Sequence, residues 1–395
     1  MEKSYVRPMI ILLIIQFLVM VGFGIIIPIL PFLVQDLGGN AISLGLFMSA
    51  YSIMQFFFAP FWGRLSDRIG RRPVILIGLS GYGLTFFLFG FAHNLWLLIA
   101  IRALSGMISS ATLPTSMAYL ADITEGADRS KSMGMVGAAM GMGMIFGPAL
   151  GGWLGHSSFT TPFFVAGALA LAVLPFALAL LPETLQKSSK PSNKKIPHFS
   201  IEIVKDPLFA LYIFNFVLSF AMAMFETTFA LLAAAKVGFG PKEMGTTFTI
   251  LGIFGVIVQG GLIGQLVKRF GDANLVKTGA YFCAISLFLI LLAPNTVTLV
   301  LATILFMVGN SLMGPTSSSL VTKQGSQGQG ASLGLFQSFG SLGRILGPIM
   351  GGALYGLYMG LPYITGAILL LGVVLVAGRK LNSFENKSTP LRQES

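Results

Sequence analysis

The sequence predicts an all-α polytopic membrane protein, with twelve transmembrane helices arranged as two homologous six-helix bundles. Three observations carry that prediction. Of the 395 residues, 54% are hydrophobic and 10% charged, against about 25% charged in ordinary soluble domains. Apolar runs of the roughly 20 residues needed to cross the hydrocarbon recur between short polar breaks. The run Gly143-Met144-Ile145-Phe146-Gly147-Pro148-Ala149-Leu150-Gly151-Gly152 repeats its Gly-Pro-Gly-Gly skeleton 200 positions later, in Gly343-Arg344-Ile345-Leu346-Gly347-Pro348-Ile349-Met350-Gly351-Gly352. Glycines and a proline so closely spaced weaken a soluble helix. In lipid they let two helices approach closely while neighbours satisfy the freed carbonyls.

The spans fall at about 8–35, 43–63, 73–92, 95–120, 132–154, 161–181, 208–235, 243–266, 274–293, 297–321, 331–355 and 361–379. The first is too long for a signal peptide and lacks a small-residue cleavage site, so it reads as a retained helix. Between the second and third stands Gly63-Arg64-Leu65-Ser66-Asp67-Arg68-Ile69-Gly70-Arg71-Arg72-Pro73, and Gly264-Gln265-Leu266-Val267-Lys268-Arg269-Phe270-Gly271-Asp272 follows the eighth at an offset of 201. The agreement of the two offsets makes the halves parallel repeats, with binding sites expected between them near the midplane. The organisation is therefore a bundle over 1–181, a lysine- and proline-bearing linker over 182–207, a second bundle over 208–380 and a tail over 381–395. The single cysteine, Cys283, lies in an apolar span, which excludes an intramolecular disulfide and suits packing.

Orientation follows from the basic residues. With both termini cytoplasmic, the inner segments hold 21 of the 25 lysines and arginines; Lys236 and Lys242 remain outside, and Arg102 and Arg344 within the bilayer. The net charge of +11 is thereby explained as topology. No basic patch on a soluble face is needed, and nucleic acid is not an expected partner.

These residues resemble the Major Facilitator Superfamily, and within it the twelve-helix drug:proton antiporters, the bacterial tetracycline, quinolone and multidrug exporters. Gly63 to Arg72 resembles the superfamily's loop motif at every defining position. Arg102, in Ile101-Arg102-Ala103-Leu104-Ser105-Gly106, is similar to its fourth-helix arginine motif. Gly143 to Gly152 is similar to the fifth-helix antiporter motif, and Ile27-Pro28-Ile29-Leu30-Pro31 to a first-helix proline pair. The resemblance covers the whole chain and implies the major facilitator fold, export of small molecules, a bacterial cytoplasmic membrane location and a monomer. Val19 stands where tetracycline exporters carry an aspartate, and Asn310 where Gram-positive multidrug exporters carry one. The Phe225-Glu226-Thr227 run resembles the latter group. Both differences weigh against a tetracycline-only exporter and against any scheme with two central carboxylates.

Only Arg102, Glu226 and Arg344 fall clearly within the hydrocarbon. A charge at the bilayer centre costs about 2.5–3.5 kcal/mol on insertion scales, so each needs a partner or an aqueous cavity. A carboxyl at low dielectric favours its neutral form and so can alternate between protonated and ionised states. Proton coupling is accordingly assigned to Glu226, Arg102, Asp36 and Arg344, with a structural ion pair as the alternative for Glu226. Arg102 has Gln16, Asn94, Asp36 or carbonyls freed by Pro28 and Pro31 as partners. It acts either in proton transfer, as the resemblance implies, or as packing glue. Arg344 is either the counter-ion of Glu226 or a contact for anionic substrate.

Asp67 is expected beside the N-terminus of the third helix, whose dipole favours a carboxylate. Arg68, Arg71 and Arg72 would face Asp122, Glu125 or Asp128. With Gly63 and Gly70 these residues make a conformational latch or, alternatively, only set topology. Lys268 in place of the aspartate makes the latch asymmetric between repeats. Gly143, Gly147, Pro148, Gly151 and Gly152 form the helix-packing motif. The 34 phenylalanines and 19 methionines suit an adaptable cavity as well as lipid. Candidate lining residues are Gln55, Phe58, Met140, Asn215, Met222, Phe225, Gln259, Asn310 and Gln337.

His93, His156 and His198 lack ligand spacing, so no metal site is expected. Neither a Gly-Lys-Ser/Thr phosphate loop nor a nucleophile elbow occurs. The expectation is a secondary exporter of amphipathic compounds driven by a proton gradient, without a cofactor and not an enzyme. An exporter of one native sugar or lipid metabolite is the same-class alternative. An intramembrane enzyme or sensor is the remote one.

Overall fold

The computed structural model describes residues 3–185, 206, 208–324 and 329–388. These residues form helices joined by short turns: α1 (Lys3–Asp36), α2 (Ala41–Ile69), α3 (Arg71–Gly90), α4 (Leu95–Ser109), α5 (Thr112–Ile123), α6 (Gly126–Gly155) and α7 (Thr161–Leu180) in the first half. The second half contains α8 (Phe209–Val237), α9 (Pro241–Val256), a π-helical segment (Ile257–Leu262), α10 (Ile263–Phe270), α11 (Asp272–Leu292), α12 (Thr296–Gln324), α13 (Gln329–Leu357) and α14 (Leu361–Ser388). The all-α expectation holds. Of the expected linker only 182–185 and 206 are described, and the tail beyond 388, together with His198, lies outside the described residues.

Among the described residues, eleven spans are long and apolar enough to cross a bilayer. The remaining expected span, 331–355, is helix α13; its glycines, serines and Arg344 lower its mean hydropathy, so that it is not among the eleven. The expected span 95–120 is two helices with a turn at Ser110 and Ala111. Pro114 accounts for the break, because its ring displaces the carbonyl of residue 110 and it offers no N–H in return. The eighth span is interrupted differently. Its helix widens into the π-helical segment around Gln259, Gly260 and Gly261, where a side chain on either glycine would meet nothing within 4 Å.

The chain divides into two compact units. One holds α1 to α7 with Phe239–Gly252, and the other holds α8 and the described residues from Ile253 onward. In the first unit α6 lies along α1. A Cβ on Gly143 would stand 2.6 Å from the Phe17 carbonyl oxygen, and one on Gly147 2.5 Å from that of Val21 and 2.8 Å from the Gly24 Cα. Gly151 continues the stripe against Ile25. Beyond it, a Cβ on Gly152 would lie 2.6 Å from the Gly245 Cα. In the second unit the same stripe recurs between α13 and α8. There Gly343 lies against Phe216 and Phe220, Gly347 against Phe220 and Ala223, and Gly351 against Met224. Spacing of four residues puts these glycines on one helix face, so two main chains meet with no side chain between them. The repeated motif is thus a repeated helix seam.

Candidate functional site

In the second unit, the α8–α13 seam sets the position of the two intramembrane charges. Arg344 follows Gly343 directly, and Glu226 lies on α8 two residues beyond Met224, which packs on Gly351. Their charges interact electrostatically without closing to an ion pair. Arg344 is exposed, and its Nη2 donates to Ser341 Oγ at 3.2 Å. Ser341 Oγ in turn donates to the Gln337 carbonyl at 3.0 Å. Gln337, Ser341 and Arg344 are spaced by four and three residues and therefore share one face of α13. Such a polar stripe is costly against lipid and suits water or a polar ligand.

The cavity candidates separate into two groups. Gln259 and Gln337 are exposed, while Met222 and Asn310 are partly buried. Two expectations are corrected. Asn215, 8% exposed, donates through Nδ2 to the Phe336 carbonyl at 2.7 Å and serves the α8–α13 seam. Phe225, 2% exposed, stacks on Phe229 with ring centroids 4.8 Å apart and meets Phe306 at 4.5 Å, making it core. Thr227 and Thr228 follow Glu226 but turn their hydroxyls back to the carbonyls of Ala223 and Met224. In the first unit Gln55, Phe58 and Met140 are partly buried, and Phe58 meets Phe61 edge-on.

Arg102 is 2% exposed and caged by aromatic rings: its guanidinium carbon lies 4.5 Å from the Tyr51 centroid, 5.1 Å from Phe47 and 5.7 Å from Phe23. None of the expected partners holds it. Gln16 donates instead to Ser116 Oγ at 2.9 Å and the Thr112 carbonyl at 3.5 Å. Asn94 caps α4 by accepting from the Leu97 amide, and Asp36 is exposed at the end of α1 with no ion pair to Arg102. Among the described residues the Nε of Arg102 has no hydrogen-bond partner. Ring quadrupoles replace a carboxylate as its counter-charge.

The loop motif builds a network at the α2–α3 turn. Gly70 adopts φ 111°, a conformation that disfavours any side chain, and a Cβ there would also overlap the Glu183 carboxylate. Glu183 accepts from the Arg71 amide at 2.9 Å and the Arg72 amide at 3.2 Å, capping α3. It takes the helix-terminal place expected of Asp67, which pairs instead with the Arg71 side chain. Arg71 also reaches Asp122 at 3.2 Å, and Thr184 donates to the same Asp122 oxygen. Arg72 donates to the Leu178 carbonyl, and Arg68 is exposed and makes no ion pair among the described residues. Of the three carboxylates expected opposite the arginines, Asp122 alone pairs with one among the described residues, and Glu125 and Asp128 are exposed. A side chain on Gly63 would meet nothing within 4 Å. Glu183 was not legible as a member of this network from sequence, although it is the one carboxylate between α7 and the lysine-rich stretch.

The family model described as Major Facilitator Superfamily matches residues 12–348. The quinolone resistance protein NorA of Staphylococcus aureus (strain COL) is 29% identical over 361 residues, covering 91% of this chain and 93% of its own length. Multidrug resistance protein 2 of Bacillus subtilis (strain 168) is 31% identical over 366 residues, covering 91% and 92%. Among solved structures, the nucleoside transporter NupG aligns with a TM-score of 0.77 at 18% identity, covering 95% of this chain and 98% of its own. The human organic anion transporter MFSD10 aligns with a TM-score of 0.68 at 24% identity, covering 96% and 100%. The similar proteins bear the names of resistance proteins and transporters rather than of enzymes, and the apolar helices here make a multi-pass membrane protein. The chain belongs to the Major Facilitator Superfamily.

Proposed function

We propose that this transporter exports amphipathic drugs or toxic small molecules across the bacterial cytoplasmic membrane in exchange for protons, by alternating access, as a monomer with both termini cytoplasmic. The observation that carries the reading is Glu226: a carboxylate within a spanning helix, in the electrostatic reach of Arg344 but not locked to it. A permanently paired carboxylate would have no reason to exchange its proton. One held short of contact can be neutral or charged at modest cost, and a cationic substrate competes with the proton for the same group. The polar stripe on α13 supplies hydrogen-bonding groups beside it. The names of the similar proteins, a quinolone and a multidrug resistance protein, support drug substrates.

Arg102 supplies a fixed positive charge in the first unit. The network of Arg71, Asp67, Asp122 and Glu183 acts as the conformational latch, tying the α3 N-terminus to α5 and to the chain after α7. The glycine stripe of α6 seals its unit against leakage. Drug-induced proton movement in proteoliposomes tests the whole reading. Addition of a quinolone or a cationic dye should release protons on the substrate-entry side. Absence of any such movement across a broad substrate panel, with one metabolite alone transported, would replace this reading by the single-substrate exporter.

A further inference from the structure

Arg71 and Asp122 pair in the first repeat, and adding 201 to both numbers gives Asp272 and Lys323, which pair in the second. The geometry points to a second clamp of reversed polarity. We propose that Asp272 and Lys323 hold the α11 N-terminus to the α12 C-terminus, as Arg71 and Asp122 hold α3 to α5. The local frame agrees at the same offset: Gly70 and Gly271 both have positive φ, 111° and 78°, and each opens the helix that carries the paired residue.

The two pairs differ in how they sit on their helix dipoles. Asp272 is in the first turn of α11 and Lys323 in the last turn of α12, so each charge complements its helix end. Arg71 opens α3 and Asp122 stands near the end of α5, so both oppose theirs. The first repeat therefore needs outside help. It recruits Glu183 to the α3 amides, Asp67 to the Arg71 side chain and Thr184 to Asp122. The second pair manages with Ser319, whose hydroxyl donates at 3.0 Å to the same Asp272 oxygen that Lys323 binds.

Burial makes the second clamp lopsided. Asp272 is 4% exposed and its other oxygen, Oδ1, has no hydrogen-bond partner among the described residues, whereas the Lys323 side chain is 47% exposed. Losing the lysine strands a buried carboxylate. Losing the carboxylate only returns an ammonium to water. Lys323 thus matters more to Asp272 than the reverse, which a pair of surface ornaments would not show.

Amide hydrogen exchange on the full-length protein in nanodiscs tests the clamp without any substrate. K323D and D272K should each raise exchange at least about tenfold at both the first turns of α11 and the last turns of α12. The double variant D272K/K323D should exchange more slowly than either at both ends, and K323M should exchange faster than D272N. Unchanged exchange in the single variants, or a double variant no slower than the faster single one, overturns the clamp. In proteoliposomes the single variants should lower the maximal rate of quinolone transport with KM unchanged, a readout that rests on the export reading. Should the unaltered chain move no quinolone, that reading fails while the exchange data still decide the clamp.

Discussion

Replacing Gly343 by alanine should destabilise the protein, although alanine is the better helix former. A Cβ at 343 would lie 2.6 Å from the Phe216 carbonyl oxygen and 2.8 Å from the Phe220 nitrogen, both main-chain atoms of α8 that cannot rotate away. Ordinary contact begins at 3.4 Å, so α13 must retreat by about 0.8 Å in a seam that is otherwise close-packed. Overpacking of this kind costs about 1–3 kcal/mol, partly offset by the gain of about 0.8–1.0 kcal/mol from removing a helical glycine. The net is a loss of up to about 2 kcal/mol. Gly314 on α12 is the control, because a Cβ there meets nothing within 4 Å and keeps only the gain. Thermal unfolding of the purified protein in nanodiscs should place Gly343→Ala below the unaltered protein and Gly314→Ala at or above it. The same retreat displaces neighbouring Arg344, so quinolone efflux should fall in the first variant alone. Equal unfolding temperatures for the two variants would refute the close-seam reasoning.

Three other outcomes follow from the same geometry. Gly70→Ala combines a positive φ with overlap on Glu183, so its unfolding temperature should drop further than that of Gly63→Ala, whose site is open. Arg102→Lys should lose part of the three-ring cage, since ammonium cannot stack as guanidinium does; at about 0.5–2 kcal/mol per cation–π contact, melting should shift downward measurably, and Tyr51→Leu should reproduce part of the shift. Glu183→Gln should weaken α3 capping by removing the charge but keeping an acceptor, with faster amide exchange at Arg71 and Arg72 and little change elsewhere.

Much of the fold was legible because its signals are local. Apolar runs mark spans, and the Gly-Pro-Gly-Gly skeleton marks a seam because only glycine lets main chains touch. The break at Ser110 was legible in principle from Pro114, but hydropathy averages over it. The site was harder to read for a different reason. Asn215 and Phe225 carry the polar and aromatic character of cavity residues, yet a bundle has two kinds of interior, the seam between helices and any water-lined surface. Periodicity does not distinguish the two. Phe47 and Tyr51 are four residues apart on one face of α2, a visible aromatic stripe. Its meeting with Arg102 depends on how α2 and α4 rotate against one another. Glu183 acts on Arg71 across more than a hundred residues of chain, a distance over which no spacing rule operates.

In the proposed cycle Glu226 carries the proton that drives export. The most direct measurement is the accumulation of a fluorescent quinolone in inverted vesicles under an imposed pH gradient, for the unaltered chain and Glu226→Gln, with binding of the same quinolone followed in parallel. Gradient-driven accumulation in the unaltered chain and its loss in the variant, with a folded and ligand-binding protein in both, is the predicted result. Accumulation that persists in Glu226→Gln with the same dependence on the gradient would contradict it.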